Sequence, residues 1–282
     1  MLTSFKEMLE TAYKGRYAVG AFNCLSLEHV MGVIRAAEEL SSPVIIQLAE
    51  VQFPYTPLEM MAPLYLEAAR RARVPVAVHL DHGQSVSTCV RAIKLGFNSV
   101  MFDGAALPFE ENVRVTRQVV EIAKAMGVDV EAELGMVGDA GVGENDKSRT
   151  DIFTDVEESA RFIERTGIDA LAIAIGNLHG KYVATPELNI ERLVQISERN
   201  GFPLVLHGGS GTSEEDFRAC ARNGIAKINV ATSLQIAVTD EVRRYVGNDP
   251  GANYIDMKGK IVDATCQAAM WHMRLFGSDG KA

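Results

Sequence analysis

Cysteine is scarce in this chain of 282 residues: Cys24, Cys89, Cys220 and Cys266 are the only four, and no two stand in a CxxC spacing. Their scatter excludes a disulfide-stapled scaffold and a thiolate metal knuckle, and marks them as reduced structural thiols. Long apolar runs are missing too. None approaches the ~20 residues a spanning helix needs, and the opening MLTSFKEMLETAYKGRYAVG lacks the continuous apolar centre of a signal peptide. Positive charge is in deficit, with 28 Lys and Arg against 37 Asp and Glu and a net charge of −9. That balance argues against nucleic acid or an anionic membrane as partner, while leaving room for a local basic pocket. The expectation is a soluble cytoplasmic protein acting on a small molecule.

What is present is hydrophobic content of 47%, organised as short strand-like runs alternating with amphipathic helical stretches. The strand candidates are Tyr17 to Phe22, Pro43 to Leu48, Val76 to Leu80, Ser99 to Phe102, Val128 to Leu134, Ala170 to Ile175, Leu204 to Leu206 and Lys227 to Val230. Between them lie helical patterns such as LEHVMGVIRAAEEL and PFEENVRVTRQVVEIAKAMG, several closed by glycine. Eight such pairs in one length without a composition break predict an α/β fold, a (β/α)8 TIM barrel spanning 1–282 as one domain. An additional C-terminal helix is predicted, since a helix from Ser233 to Tyr245, the turn NDPGAN and a helical stretch ending near Arg274 follow the eighth strand. A doubly wound open sheet is the weaker reading, because no GxGxxG follows the first strand. One connection, from Gly135 to about Thr154, is glycine-rich and too polar to pack, which suits an active-site loop.

Three of the six histidines, His82, His179 and His207, each close an apolar run beside a glycine. Taken singly, a histidine at a strand end is an ordinary buried or hydrogen-bonded residue. Repeated three times, the pattern points to one metal site, since a barrel gathers the C-terminal ends of its strands on a single rim. Three imidazoles leave a fourth zinc position open, as catalysis requires. Asp81, Asp103 and Glu133 reach the same rim as ring orienters, alternative ligands or proton carriers. The segment HGGSGTSEED adds exposed backbone N–H groups at Gly208, Gly209 and Gly211, the Ser210 hydroxyl, and Ser213 with Asp216 as a capping box. Asn229 to Ser233 supply further donors after the last strand, where barrels commonly hold phosphate. Metal beside phosphate suits carbonyl chemistry on a sugar phosphate, with zinc stabilising an enediolate. Lys227 is then not needed for a Schiff base and fits a structural or phosphate-attracting role equally well.

These segments, GAFN at 20–23, HLDHG at 79–83, DGAALPFEEN at 103–112, VEAELGMVG at 130–138, AIGNLHG at 174–180, LHGGSG at 206–211 and KINVATSL at 227–234, carry a resemblance that runs almost end to end. The chain resembles the class II, zinc-dependent ketose-phosphate aldolases of the fructose/tagatose-bisphosphate aldolase family. The resemblance implies that His82, His179 and His207 bind catalytic zinc and that Asp103 and Glu133 serve an alternative metal position. It implies that Asp81 acts on the hydroxyl next to the cleaved bond. It also implies a dihydroxyacetone-phosphate site at Gly180, Gly208, Gly209, Ser210, Asn229, Val230, Ala231 and Thr232, with a monovalent cation such as Na+ or K+ nearby, and a homodimer or homotetramer. His79 shares the motif but is read as supporting the site, not as a ligand.

Two departures from that pattern bear on the substrate. Relatives follow the ELG segment with Gly-Gly and a proton-exchanging acid, whereas this chain runs Gly138, Asp139, Ala140, Gly141, Val142, Gly143, Glu144; Glu144 is the first candidate for that acid and Asp139 the second. Relatives tend to carry an Asp-Pro-Arg segment near the C-terminus, where this chain reads Asp249, Pro250, Gly251. Glu50 stands after the second strand and would repel a second phosphate. The predicted activity is cleavage of a ketose 1-phosphate or ketose 1,6-bisphosphate to dihydroxyacetone phosphate and an aldehyde, and the two departures favour the 1-phosphate, whose aldehyde is not a simple phosphorylated triose. The opposing expectation is fructose- or tagatose-1,6-bisphosphate cleavage to glyceraldehyde 3-phosphate, with Arg243, Arg244 or Lys258 of a neighbouring subunit holding the far phosphate. A metal-dependent hydrolase is less favoured, as strand one has no HxH pair. A non-catalytic sugar-phosphate sensor is less favoured because Asp81 and the three histidines are retained.

Overall fold

The computed structural model describes residues 1–135, 138–139, 153–179, 187–209 and 211–282, with backbone alone at 138–139 and 178–179. Its strands are β1 (Val19–Asn23), β2 (Val44–Ala49), β3 (Val76–Gly83), β4 (Ser99–Phe102), β5 (Asp129–Leu134), β6 (Gly138–Asp139), β7 (Ala170–Ile173), β8 (Leu178–His179), β9 (Leu204–Leu206) and β10 (Ile225–Val230). Eight of them close a parallel barrel in the order β1-β10-β9-β7-β5-β4-β3-β2, while β6 and β8 form a separate two-stranded sheet. The helices are α1 (Phe5–Gly15), α2 (Leu27–Leu40), α3 (Leu58–Arg71), α4 (Val86–Lys94), α5 (Phe109–Ala125), α6 (Val156–Thr166), α7 (Ile190–Asn200), α8 (Glu214–Arg222), α9 (Thr232–Asn248) and α10 (Tyr254–Phe276). The (β/α)8 barrel with an extra C-terminal helix is what the alternation of runs predicts. Among the described residues no helix is long and apolar enough to cross a membrane, and all four cysteines are free and buried.

Local chemistry explains where the elements begin. Ser26, Ser85, Asp155, Asn189, Ser213 and Asn253 each accept a backbone N–H from the first turn of α2, α4, α6, α7, α8 and α10. Such a cap stabilises its helix by ~1 kcal/mol. The outward strand faces pack with the helices in one large core that includes Phe22, Ile46, Val78, Val100, Val130, Leu171 and Leu206. A second cluster fills the lower barrel interior, where Val19, Ala21, Ile45, Ala77, Ala170, Ala172, Val205 and Ala226 meet Phe5, Met8, Leu9 and Ala12 of α1. This helix, absent from the sequence reading, plugs the N-terminal mouth of the barrel with the apolar stripe that its period of 3.6 residues produces. The sealed floor leaves the C-terminal rim as the open end.

Two boundaries differ from expectation in ways that matter. Strand β3 was expected to stop at Leu80, yet it continues through Asp81 and His82 to Gly83, with a register shift against β4 between Leu80 and Gly83. A bulge at a barrel rim re-aims side chains, here those of Asp81 and His82. The glycine-rich connection after β5 returns as the short strand β6, whose Gly138 and Asp139 pair with Leu178 and His179 of β8. The loops leaving β5 and β7 are thus joined backbone to backbone.

Candidate metal centre and active site

Among the described residues, His82 is the one with positive φ, at 44°, that is neither glycine nor a helix C-cap; Arg16 and Ser41 occupy such caps. Left-handed backbone on a strand residue carries strain, and strain held in place by its surroundings gathers at functional sites. Its Nδ1–H donates to Asp103 Oδ2 at 2.7 Å, so Nε2 is turned toward Asp81, 3.9 Å from Oδ1. Burial lowers the imidazolium's pKa, but the Asp81 and Asp103 carboxylates outweigh it and raise it above the usual value.

Asp81 is held at both oxygens. Asn23 donates its side-chain amide to Oδ2 and Asn229 donates its own to Oδ1, each at 2.9 Å; Gln47 in turn donates to Asn23 Oδ1 at 2.9 Å. Burial opposes the charge of Asp81, but the neighbouring His82, Lys227 and His207 keep the carboxyl below its ordinary range. The result is an oriented, ionised carboxylate, the form in which a base accepts a proton.

His207 follows β9 and lies fully buried, with its ring 4.5 Å from that of His82 in an edge-to-face arrangement. Its Nε2–H donates to Glu131 Oε1 at 2.8 Å, and Nδ1 lies 3.2 Å from Glu133 Oε2. Burial disfavours the charged ring, yet the two carboxylates prevail and push its pKa up to about 10. Asn177 ties the end of β7 to this point, donating to the His207 carbonyl at 3.0 Å.

The donor atoms of Asp81, His82 and His207 lie within 4.8 Å of one another, as do those of His82, Asp103 and Glu133. Imidazole nitrogens and carboxylate oxygens so arranged suit a borderline divalent cation such as zinc. Buried carboxylates crowding one imidazole also call for a cation between them, so the residues present fit the group. His179 lies among the residues described by backbone alone, and Glu144, Gly180 and Ser210 lie outside the described residues.

The loop after His207 approaches closely to its neighbours. Gly208 takes φ of 65°, and a Cβ at Gly209 would stand 3.1 Å from the Phe217 ring. Ser213 caps α8 as expected, accepting Asp216 N–H at 3.1 Å. Across from it, Ala231 precedes the first turn of α9, which begins at Thr232, and Val230 is buried. A helix N-terminus beside a glycine turn favours an anion. Asn229 divides its side chain: the amide holds Asp81, while Oδ1 is buried and has no hydrogen-bond partner among the described residues.

Residues expected to govern the far end of a substrate have local partners. Glu50 accepts from Gln84 N–H at 2.7 Å and from the Thr88 hydroxyl at 2.9 Å, steadying the start of α4. Arg243 pairs with Asp240 and Arg244 with Glu241, while Lys258 pairs with Glu28. Gly251 lies in the turn between α9 and α10.

Sequence reasoning missed Glu131. It lies on β5 two residues before Glu133, and a strand's period of two sends both into the barrel. Lys227 Nζ approaches its oxygens at 2.9 and 3.2 Å, and His79 Nε2 at 3.6 Å, all with no exposure. His79 rests flat on Phe5, centroids 4.9 Å apart, and its Nδ1 meets Ser99 Oγ at 2.9 Å.

Comparison with known proteins agrees across the whole chain. A family model described as class-II fructose-bisphosphate aldolase matches residues 3–281. The chain is 45% identical over 293 residues to a fructose-bisphosphate aldolase of Geobacillus stearothermophilus, covering 100% of this chain and 99% of that protein. It is 39% identical over 284 residues to a sulfofructosephosphate aldolase of Alkalicoccus urumqiensis, covering 99% and 98%. Among solved structures, the YdjI aldolase of Escherichia coli K12 superposes with a TM-score of 0.91 at 38% identity, with 100% of both chains covered.

Proposed function

The chain belongs to the class-II fructose-bisphosphate aldolase family, and from that premise we propose zinc-dependent, reversible cleavage of a ketose 1-phosphate or ketose 1,6-bisphosphate to dihydroxyacetone phosphate and an aldehyde. The observation that carries this reading is Asp81, fixed by Asn23 and Asn229 beside His82 and His207 on one rim. His82 and His207, with His179, hold the metal, and Asp103 and Glu133 offer it an alternative position. Zinc, when bound, supplies the Lewis acid for a ketose carbonyl and its adjacent hydroxyl.

In cleavage, Asp81 takes the proton from the hydroxyl next to the scissile bond. The C–C bond breaks, its electron pair stays with the three-carbon phosphate fragment, and the other fragment leaves as the aldehyde. The carbon left behind is protonated by an acid of the loop after β5, for which Glu144 is our first choice. Condensation reverses each step, with Asp81 returning its proton. Gly180, Gly208, Gly209, Ser210 and the segment Asn229 to Thr232 hold the phosphate, with a monovalent cation beside it. We place the protein in the cytoplasm as a homodimer or homotetramer; Met31, Trp271 and Ile255 are exposed apolar residues available for self-association.

The far end of the substrate is the open variable. Relatives of comparable similarity are named for fructose bisphosphate and for sulfofructose phosphate, so membership of the family leaves that end free to differ. Glycine at 251 and an acid at 50 support an aldehyde other than a phosphorylated triose. A second reading, fructose- or tagatose-1,6-bisphosphate cleavage proper, is favoured by the 45% identity to the Geobacillus enzyme. A screen of ketose 1-phosphates against ketose 1,6-bisphosphates, scored by dihydroxyacetone phosphate formed, separates the two. Higher kcat/KM for a ketose 1-phosphate is expected, and strong preference for the bisphosphates would reverse the assignment of Gly251 and Glu50.

A further inference from the structure

The interior of a TIM barrel is ordinarily filled by branched aliphatic side chains, but the layer beneath the rim of this one holds Lys227, Glu131 and His79, each fully buried. Burying a charged pair costs several kcal/mol of desolvation per ion, which attraction only partly recovers, so such a pair is weak evidence for stability. A role besides filling the barrel must account for it.

The geometry supplies one. Glu131 Oε1 faces His207 Nε2 at 2.8 Å and keeps a proton on that nitrogen, since a carboxylate only accepts, so a metal entering from the rim would replace the proton that faces Glu133 at Nδ1. The opposite nitrogen, Nδ1, then faces the rim, 3.2 Å from Glu133 Oε2. Lys227 holds Glu131 from the far side at 2.9 and 3.2 Å, balancing its charge and fixing its plane. His79 closes the remaining side at 3.6 Å and is itself braced by Phe5 of the plug helix.

We infer that Glu131, braced by Lys227, is a positioning residue that fixes the tautomer and orientation of His207 so that Nδ1 is its metal-ligating atom. This rests on the reading of the rim as a zinc site. Lys227 thereby has a function in this chain as a counter-ion below the site, not as a nucleophile within it. The contrasting possibility is an ion pair that serves only the fold; it predicts that removing both partners leaves metal binding untouched.

The test compares the full-length wild type with Glu131→Gln, Lys227→Met and the double variant Glu131→Gln/Lys227→Met. Metal-free protein is titrated with zinc against a chromophoric chelator, and thermal melting of the same samples reports folding. Loss of an outer partner of a metal-bound histidine typically weakens binding about 10- to 100-fold, and that weakening is expected for Glu131→Gln. The double variant, free of any uncompensated buried charge, is expected to melt near the wild type yet bind zinc as weakly as Glu131→Gln. Nitrogen-15 imidazole spectra of the zinc-loaded wild type are expected to show His207 protonated at Nε2, a readout available even if Glu131→Gln fails to fold. A folded double variant with wild-type zinc affinity, or a His207 ring metallated at Nε2, overturns the assignment while leaving the zinc reading intact. A wild type that binds no zinc overturns both.

Discussion

The two halves of the barrel interior are built on opposite terms. Near the plug helix, inward positions are Val19, Ile45, Ala77, Ala170 and Ala226 against Phe5, Leu9 and Ala12. Toward the rim, the same strands present Asn23, His79, Asp81, Glu131, Glu133, Lys227 and Asn229, almost all of them out of contact with solvent. The lower half gains free energy by removing apolar surface from water, at roughly 25 cal/mol per Å2. The upper half spends part of that gain on buried charge, which is tolerated only where each group meets a partner. Stability and chemistry are thus segregated along one axis, and they touch where Phe5 stacks on His79.

The largest expected effect lies in the upper half. Asp81→Asn removes the proton acceptor while keeping the side chain's shape, and kcat is expected to fall by roughly 10²- to 10⁴-fold. Zinc affinity, measured by chelator competition, should change far less; equal loss of both would make Asp81 primarily a metal ligand. Next comes the lower half. Phe5→Ala empties a fully buried aromatic position and is expected to cost roughly 3–5 kcal/mol in urea unfolding, with the zinc affinity of the folded protein retained. If zinc affinity falls as well, the two halves are mechanically coupled through His79 and the segregation is incomplete.

The smallest effect concerns support from outside the barrel. His272 of α10 accepts its Ser233 contact at 3.2 Å through Nε2 while Nδ1–H donates to the Ala268 carbonyl at 2.8 Å. Burial among Phe22, Phe217 and Phe276 lowers its pKa from 6.5 to about 4. The unfolded chain therefore takes up a proton below pH 6.5 that the folded chain refuses until about pH 4. Its contribution is fully present above pH 6.5 and is lost as pH falls through this window, amounting to about 3 kcal/mol. Urea unfolding at pH 7 and pH 4.5 should show a smaller difference in His272→Gln than in the wild type. An unchanged difference would place the acid sensitivity in the rim's carboxylates instead.

Much of the fold was legible because strand and helix periods alternate cleanly; Ser99 to Phe102 and Leu204 to Leu206 match the observed strands end for end. The extension of β3 was not, since a positive φ at His82 is a consequence of the rim's packing and not of local preference. The plug helix carries its stripe openly in Phe5, Met8, Leu9 and Ala12, a signal visible only when the N-terminus is read for period as well as for hydrophobic length. At the site, strand ends brought His82, Asp81 and His207 together in sequence reasoning and in space alike. Glu131 and Lys227 escaped notice because alternation tells which face a residue takes but not which partner waits across a barrel. Glu50 shows the same limit, its carboxylate being occupied by Gln84 and Thr88 of its own chain.

The central claim is that the rim works through zinc. The most direct test strips the metal from the purified protein by chelation, assays dihydroxyacetone phosphate release from the preferred ketose phosphate, and then restores zinc stoichiometrically. Activity is expected to vanish on stripping and return with about one zinc per chain, as a single rim site requires. Undiminished cleavage after complete zinc removal would contradict the account.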